Sequence, residues 1–141
     1  MQAAEATGNG GPRRCSKSHM LNKLQAVREM ESAAFSGDWD KFKSYLADDV
    51  YYRVGNTAEM TGPQAVVDYI TRLLSTGLAI NDLQAWSASE TEDVVILECQ
   101  MAGVRLRDKQ QVTYPCLDIC RFSRGKISDW RVYAIEPTFV R

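Results

Sequence analysis

Few side chains in this 141-residue sequence combine type and placement in a way that could do chemistry, and Asp118 is foremost among them. It sits in the run Tyr114-Pro-Cys-Leu-Asp-Ile-Cys-Arg-Phe122, whose residue types favour a β-strand. Side chains alternate along a strand, so Cys116, Asp118, Cys120 and Phe122 share one face while Leu117 and Ile119 take the other. A carboxyl on an apolar face costs stability unless it is paired, protonated or in use. In a cavity lined by Cys116, Cys120, Phe122 and Trp130, desolvation would raise its pKa. It would then be poised to give or take a proton as a general acid or base. The structural alternative is a tie from strand to helix, with Asp118 paired to Arg131, Arg53 or a tyrosine hydroxyl.

Tyr51 and Tyr52 follow one another in a second β-prone run, Val50–Val54, so one of them faces inward. Cys99 falls with Val95, Leu97 and Met101 on one face of a further strand. Trp39 fits the corner between two helices, where a large ring fills space more often than it holds a ligand. The four cysteines are Cys15, Cys99, Cys116 and Cys120. Cys116 and Cys120 stand roughly 13 Å apart along a regular strand, and a disulfide needs Cα atoms within about 7 Å. No CxxC occurs, and the single histidine, His19, lies near the N-terminal tail, so zinc ligation and a histidine-based triad are not expected. Free cysteines used as small core residues fit a reducing compartment, which predicts a cytoplasmic protein.

The elements that must carry these residues can be read in order. Residues 1–18 hold three glycines, Pro12 and few large apolar groups, and are expected to form a disordered tail ahead of one domain over 19–141. Leu21, Leu24, Val27, Met30 and Ala34 recur every three or four residues, predicting a helix over 19–35 with Glu29 and Glu31 mostly off the apolar stripe. Gly37 ends it, and Asp38 can cap a short helix over 39–46. Thr61-Gly-Pro63 opens a third helix with Thr61 as its cap, and Gly77 closes it. Strands are expected over 83–89, 93–102, 111–122 and 126–135, the last two joined as a hairpin through Ser123-Arg124-Gly125.

Composition removes several classes of function. Seventeen basic against eighteen acidic residues leave a net charge of −1, which offers no general pull toward nucleic acid or an anionic membrane. No apolar run approaches the ~20 residues that span a bilayer. Three helices followed by an antiparallel meander predict an α+β domain, with the helices packed on one face of a strongly curved sheet around a pocket for a small, mostly apolar molecule.

Four segments carry a resemblance to a known family: SGDWDKF at Ser36–Phe42, LADDV at Leu46–Val50, TGPQAV at Thr61–Val66 and the hairpin from Leu117 to Tyr133. Over residues 20–136 the chain resembles the nuclear transport factor 2-like superfamily, in particular its SnoaL-like branch. The resemblance implies a cone-shaped α+β fold with a mostly antiparallel sheet, and a homodimer formed through the outer sheet face. In ketosteroid isomerases a protonated aspartate on the matching strand helps hold an enolate oxygen, and Asp118 falls on that position. Their helix tyrosine corresponds to Met30, and their general base to Arg53 or Val54, so one part of three is present. Limonene-epoxide hydrolases use an Asp-Arg-Asp set with a tyrosine and an asparagine. Tyr52 matches the tyrosine, but Val54 replaces the asparagine, and beyond Asp93 at its first residue Glu98 is the only acid on the strand expected to hold Arg and Asp. The polyketide cyclases use a sheet aspartate that Asp118 resembles, with a companion histidine that has no equivalent here.

Two functions follow from this reading. One is a cofactor-free isomerase, cyclase or hydrolase acting on an apolar or polyketide-like ligand. Asp118 would be its general acid/base and Tyr52 its hydrogen-bond donor, with Trp39, Cys99, Cys116, Cys120, Phe122 and Trp130 as ligand contacts. The other is a non-catalytic ligand-binding or dimerisation module of the same fold. No metal and no cofactor is implied by either.

Overall fold

The computed structural model describes residues 17–90 and 93–134. Its elements run α1 (Lys17–Ser36), α2 (Trp39–Ser44), β1 (Leu46–Val54), β2 (Met60–Thr61), α3 (Pro63–Arg72), a π-helical turn (Leu73–Gly77), β3 (Leu78–Glu90), β4 (Val94–Arg105), β5 (Gln110–Ser123) and β6 (Lys126–Ala134). The disordered tail expected for 1–18 falls mostly outside the described residues, as does Cys15; Lys17 and Ser18 open α1.

The six strands form one strongly curled sheet in the order β2-β1-β6-β5-β4-β3, with the helices packed inside the curl. It is not a pure meander. β1 joins β6 in parallel, so the first strand closes the sheet against the last and sets Tyr52 beside Trp130. β6, β5, β4 and β3 pair antiparallel in turn. The loop expected over 55–60 ends in β2, a two-residue strand on the outer edge of β1.

Local sequence accounts for the joints. Asp38 Oδ1 accepts from the Lys41 amide at 3.1 Å and caps α2 as its side chain allows. Thr61 does not cap α3; it is committed to β2, and Gly62, at φ 89°, takes the cap position ahead of Pro63 without a side-chain bond. The β5–β6 turn is tighter than the three-residue connection expected. Ser123 pairs directly with Lys126, which leaves Arg124 (φ 52°) and Gly125 (φ 76°) as a two-residue turn with both φ positive, the form whose twist matches a hairpin.

The core lies between the helices and the concave sheet face. Val27 and Met30 of α1, Phe42 of α2, Val66 of α3 and Val95, Leu97 and Cys99 of β4 are all buried to 1% exposure or less. Register builds rows across this face. Tyr52, Trp130 and Cys120 stand side by side, then Val132, Asp118 and Leu97, then Cys116 and Cys99.

Gly103 keeps β3 against β4 where the sheet bends, next to a register shift between Ile80 and Asp82. A Cβ there would stand 2.4 Å from the Ala79 carbonyl oxygen and 3.0 Å from Ile80 Cα, and both are backbone atoms. Gly103→Ala should therefore destabilise the domain by of the order of 2 kcal/mol, read as a lower urea midpoint with unchanged slope.

Candidate active site

Asp118 reaches the concave face from the middle of β5 and is 6% exposed. Its Oδ2 accepts from Trp130 Nε1 at 3.4 Å, a long hydrogen bond from the neighbouring strand. Neither arginine considered as a partner meets it. Arg131 bonds Asp129 at 3.0 Å and lies over the Tyr51 ring, while Arg53 approaches Glu59 at 3.9 Å.

The partner of Asp118 is Glu31. This side chain was expected mostly off the apolar stripe of α1, and instead it is 9% exposed and lines the same cavity. The spacing explains why: Leu24, Val27, Glu31 and Ala34 are three, four and three residues apart, which places all four on one helix face. Glu29, two residues earlier, turns outward and takes a 2.5 Å bond from the Tyr45 hydroxyl.

Glu31 Oε1 and Asp118 Oδ1 are both sealed from solvent, and no donor among the described residues reaches either. Two carboxylates so placed would repel one another in a medium that cannot screen them. Burial pushes the Glu31 carboxyl far up, and the Asp118 charge beside it pushes in the same direction. Burial raises Asp118 too, while its bonds with Glu31 and Trp130 pull the other way. The stable arrangement has Glu31 protonated and donating to Asp118, a carboxyl pair that keeps a proton in the neutral pH range.

Around the pair is a cavity of about 170 Å³. Its apolar walls include Ile70 and Leu74 beyond α1, and Leu83 and Met101 from the sheet. Tyr52 lines it and is 3% exposed. Burial and the nearby Asp118 raise its phenol well above the ordinary value, so it stays a neutral hydrogen-bond donor. Tyr69 of α3 meets Tyr52 edge-on at 5.8 Å, and Trp130 meets Tyr52 at 4.7 Å and 50°.

Of the residues expected at the site, the structure brings Asp118, Tyr52, Cys116 and Trp130 to the cavity wall. Four others stand elsewhere. Cys99 and Cys120 are wholly buried and pack into the core instead of lining the cavity. Trp39 packs edge-on against Phe42 at 5.5 Å, filling the helix corner. Phe122 lies toward the sheet's end under the Lys23 ammonium, 5.9 Å from its ring centre. Cys99 and Cys116 face each other across β4 and β5, and their contact, together with burial, pushes the Cys99 thiol up. Among the described residues no group of three or more His, Cys, Asp or Glu side chains could hold a metal ion.

A fold of this form, with an acidic residue at the heart of its concave sheet, matches a known family. The model of the SnoaL-like domain matches residues 27–130, and the chain belongs to that family. No curated protein matches the sequence. Solved structures share the fold. A protein from Jannaschia sp. CCS1 described as a SnoaL-like polyketide cyclase is 11% identical, with 82% of this chain and 86% of that one covered at a TM-score of 0.74. A limonene-epoxide-hydrolase-like epoxide hydrolase of M. tuberculosis is 17% identical, with 83% and 85% covered and a TM-score of 0.69. A protein with a ketosteroid isomerase-like fold from Catenulispora acidiphila DSM 44928, solved with trimethylamine, is 17% identical, with 77% and 84% covered and a TM-score of 0.68. The family match, together with these shared folds, supports the nuclear transport factor 2-like superfamily.

The carboxyl pair has a consequence for stability. Below the lower of the two ordinary values, 3.8 for aspartate against 4.5 for glutamate, both carboxyls are protonated in folded and unfolded chains alike. As pH rises above that value, the unfolded chain releases these protons while the folded chain holds them, so stability falls with rising pH. Glu31→Gln removes much of that loss. Its Tm should exceed the parent's by about 4 °C at pH 8 and converge with it at about pH 4, measured by calorimetry across that range.

Proposed function

We propose that this protein is a cofactor-free enzyme of the isomerase, cyclase or hydrolase type, working on one small molecule through proton exchange with the Glu31–Asp118 pair. The observation that carries this reading is a pair of buried carboxyl groups on the wall of an apolar cavity, each with one oxygen that no described donor reaches. In its singly protonated state such a pair contains a base and an acid within one hydrogen bond. The ionised member can take a proton from a substrate carbon or a water, and the protonated one can return it to a developing oxyanion. Tyr52 is the supporting donor: no acceptor among the described residues engages its hydroxyl, and the low polarity around it strengthens any bond it gives. An engineered apolar cavity of about 150 Å³ takes up benzene, so a volume of about 170 Å³ favours a single-ring ligand over a multi-ring polyketide.

The second reading is a binding module. What favours it is that Asp118 already has protein partners in Trp130 and Glu31, as a purely structural carboxyl would. The two differ in turnover. Native mass spectrometry of protein from its own host identifies the occupant, and that molecule with close analogues becomes the assay. Asp118→Asn and Glu31→Gln should each lower kcat about 10²–10⁴-fold with the fold intact by circular dichroism. Full activity in both variants, or no turnover of the occupant by the parent, would leave the module.

We also assign a homodimer to the outer sheet face and place the protein in the cytoplasm. Ile96 at 36% and Tyr133 at 46% exposure stand there beside the half-buried Leu117 and Ile119, an apolar surface that a second copy would cover. The described cysteines Cys99, Cys116 and Cys120 are free, as a reducing compartment would keep them. Among the described residues no helix is long and apolar enough to cross a membrane. Ile96→Glu with Tyr133→Glu should shift the protein from dimer to monomer in analytical ultracentrifugation, without lowering its Tm at low concentration.

A further inference from the structure

Every titratable side chain on the cavity wall is an acid, a phenol or a thiol. Glu31 and Asp118 bring carboxyls, Tyr52, Tyr69 and Tyr114 bring phenols, and Cys116 brings a thiol. No lysine, arginine or histidine among the described residues lines it. The elements packed round the pair add only Cys99 from β4, Cys120 from β5 and the Trp130 indole from β6, whose Nε1–H is already given to Asp118. Arg28 acts on Glu31 only through space, from the exposed side of α1. Negative charge on the pair therefore has no counter-ion among the described residues of the cavity wall, and a buried charge without one is strongly disfavoured.

The same cavity wall supplies a second, independent feature beside the pair. Tyr52, Tyr69 and Trp130 meet at 68° and 50°, so three ring systems bend around the space instead of stacking flat. Aromatic faces are electron-rich and draw organic cations, most strongly where water is excluded. Unpartnered carboxyl oxygens with angled rings beside them make a site complementary to positive charge.

We infer that the molecule this cavity selects is a small organic cation, a protonated secondary or tertiary amine of about one ring, whose N–H bonds the Glu31–Asp118 pair while its alkyl groups lie against Tyr52, Tyr69 and Trp130. This rests on the reading of the pair as the working acid–base group. A neutral amine entering a fully protonated pair takes one proton onto its nitrogen lone pair. An ammonium and a singly charged carboxyl pair result, with no atom gained or lost. The bound cation thereby holds the pair in the state that contains one base and one acid.

The probes are N-methylpyrrolidine, protonated at pH 7, and cyclopentanone, a neutral ring of similar size, titrated into the full chain by calorimetry. The amine should bind at least tenfold more tightly, and Glu31→Gln with Asp118→Asn, which keeps shape and removes charge, should erase that preference. Equal or tighter binding of cyclopentanone, or a preference that survives in the double variant, would overturn the inference. If that variant does not fold, Tyr69→Leu serves in its place. It should weaken the amine about fivefold and leave cyclopentanone unchanged, and equal losses for both would count against the cation. These outcomes concern binding alone, so a failure here is distinct from a failure of the acid–base reading, which turnover decides.

Discussion

A helix and a strand each carry a carboxyl into the same dry space, and that contact sets the terms for the rest of the domain. Glu31 on α1 and Asp118 on β5 come together where one oxygen of each is shut off from water. Two charges there would be prohibitive, so the contact exists only because at least one group keeps its proton. Even then it opposes folding as pH rises, and something must hold the helix down against it. Val27, Met30, Ala33 and Ala34 do so, with 6% exposure or less on the α1 face that carries Glu31. At roughly 1.5–3 kcal/mol for each large apolar side chain fully buried, Val27 and Met30 outweigh the strain of one protonated acid. The pair is thus a cost borne by a well-packed helix, as a working group commonly is.

The sheet's closure matters for the same site in another way. If β1 had joined an antiparallel meander at its end, Tyr52 would stand far from β6. Parallel pairing with β6 sets Tyr52 level with Trp130, and Trp130 in turn lies across from Cys120 and within reach of Asp118. One row of residues then provides the ring wall, the indole donor and the low-dielectric backing. The curl that brings β1 round also leaves the space the helices do not fill.

Much of this was legible in the sequence, and the parts that were not share a cause. Helices and strands followed from periodicity, and Asp118 from its position among Cys116, Cys120 and Phe122. Alternation left Tyr51 and Tyr52 as alternatives, and the family resemblance chose Tyr52. The parallel β1–β6 pairing could not be read, because strand patterning says which face is apolar and nothing about which strand lies beside it. Glu31 could have been read and was not. The stripe was traced through apolar residues alone, and an acid at the fourth position after Val27 was assigned to solvent by its type. Resemblance to the isomerases pointed to Met30, one residue short; Met30 is buried in the core, and its neighbour reaches Asp118. Trp39, Cys99, Cys120 and Phe122 share regions with the site residues, but a shared region does not separate a cavity wall from packed core.

The surroundings of the pair also bear on what it can be for. A carboxyl pair that only tied helix to strand would gain from closer packing, since replacing buried polar contacts by apolar ones is often neutral or stabilising. Here the space beside it is kept open, while the core on its other side is filled by Cys99, Leu97 and Cys120 without exposure above 1%. The thiols there are pushed toward their neutral forms, so they neither compete for the proton nor supply charge. Dense, neutral packing behind and an aromatic-walled gap in front leave the proton one direction in which to be exchanged. That asymmetry is what the proposed proton exchange with a ligand requires, and it sets the acid at the cavity wall and not within the filled core.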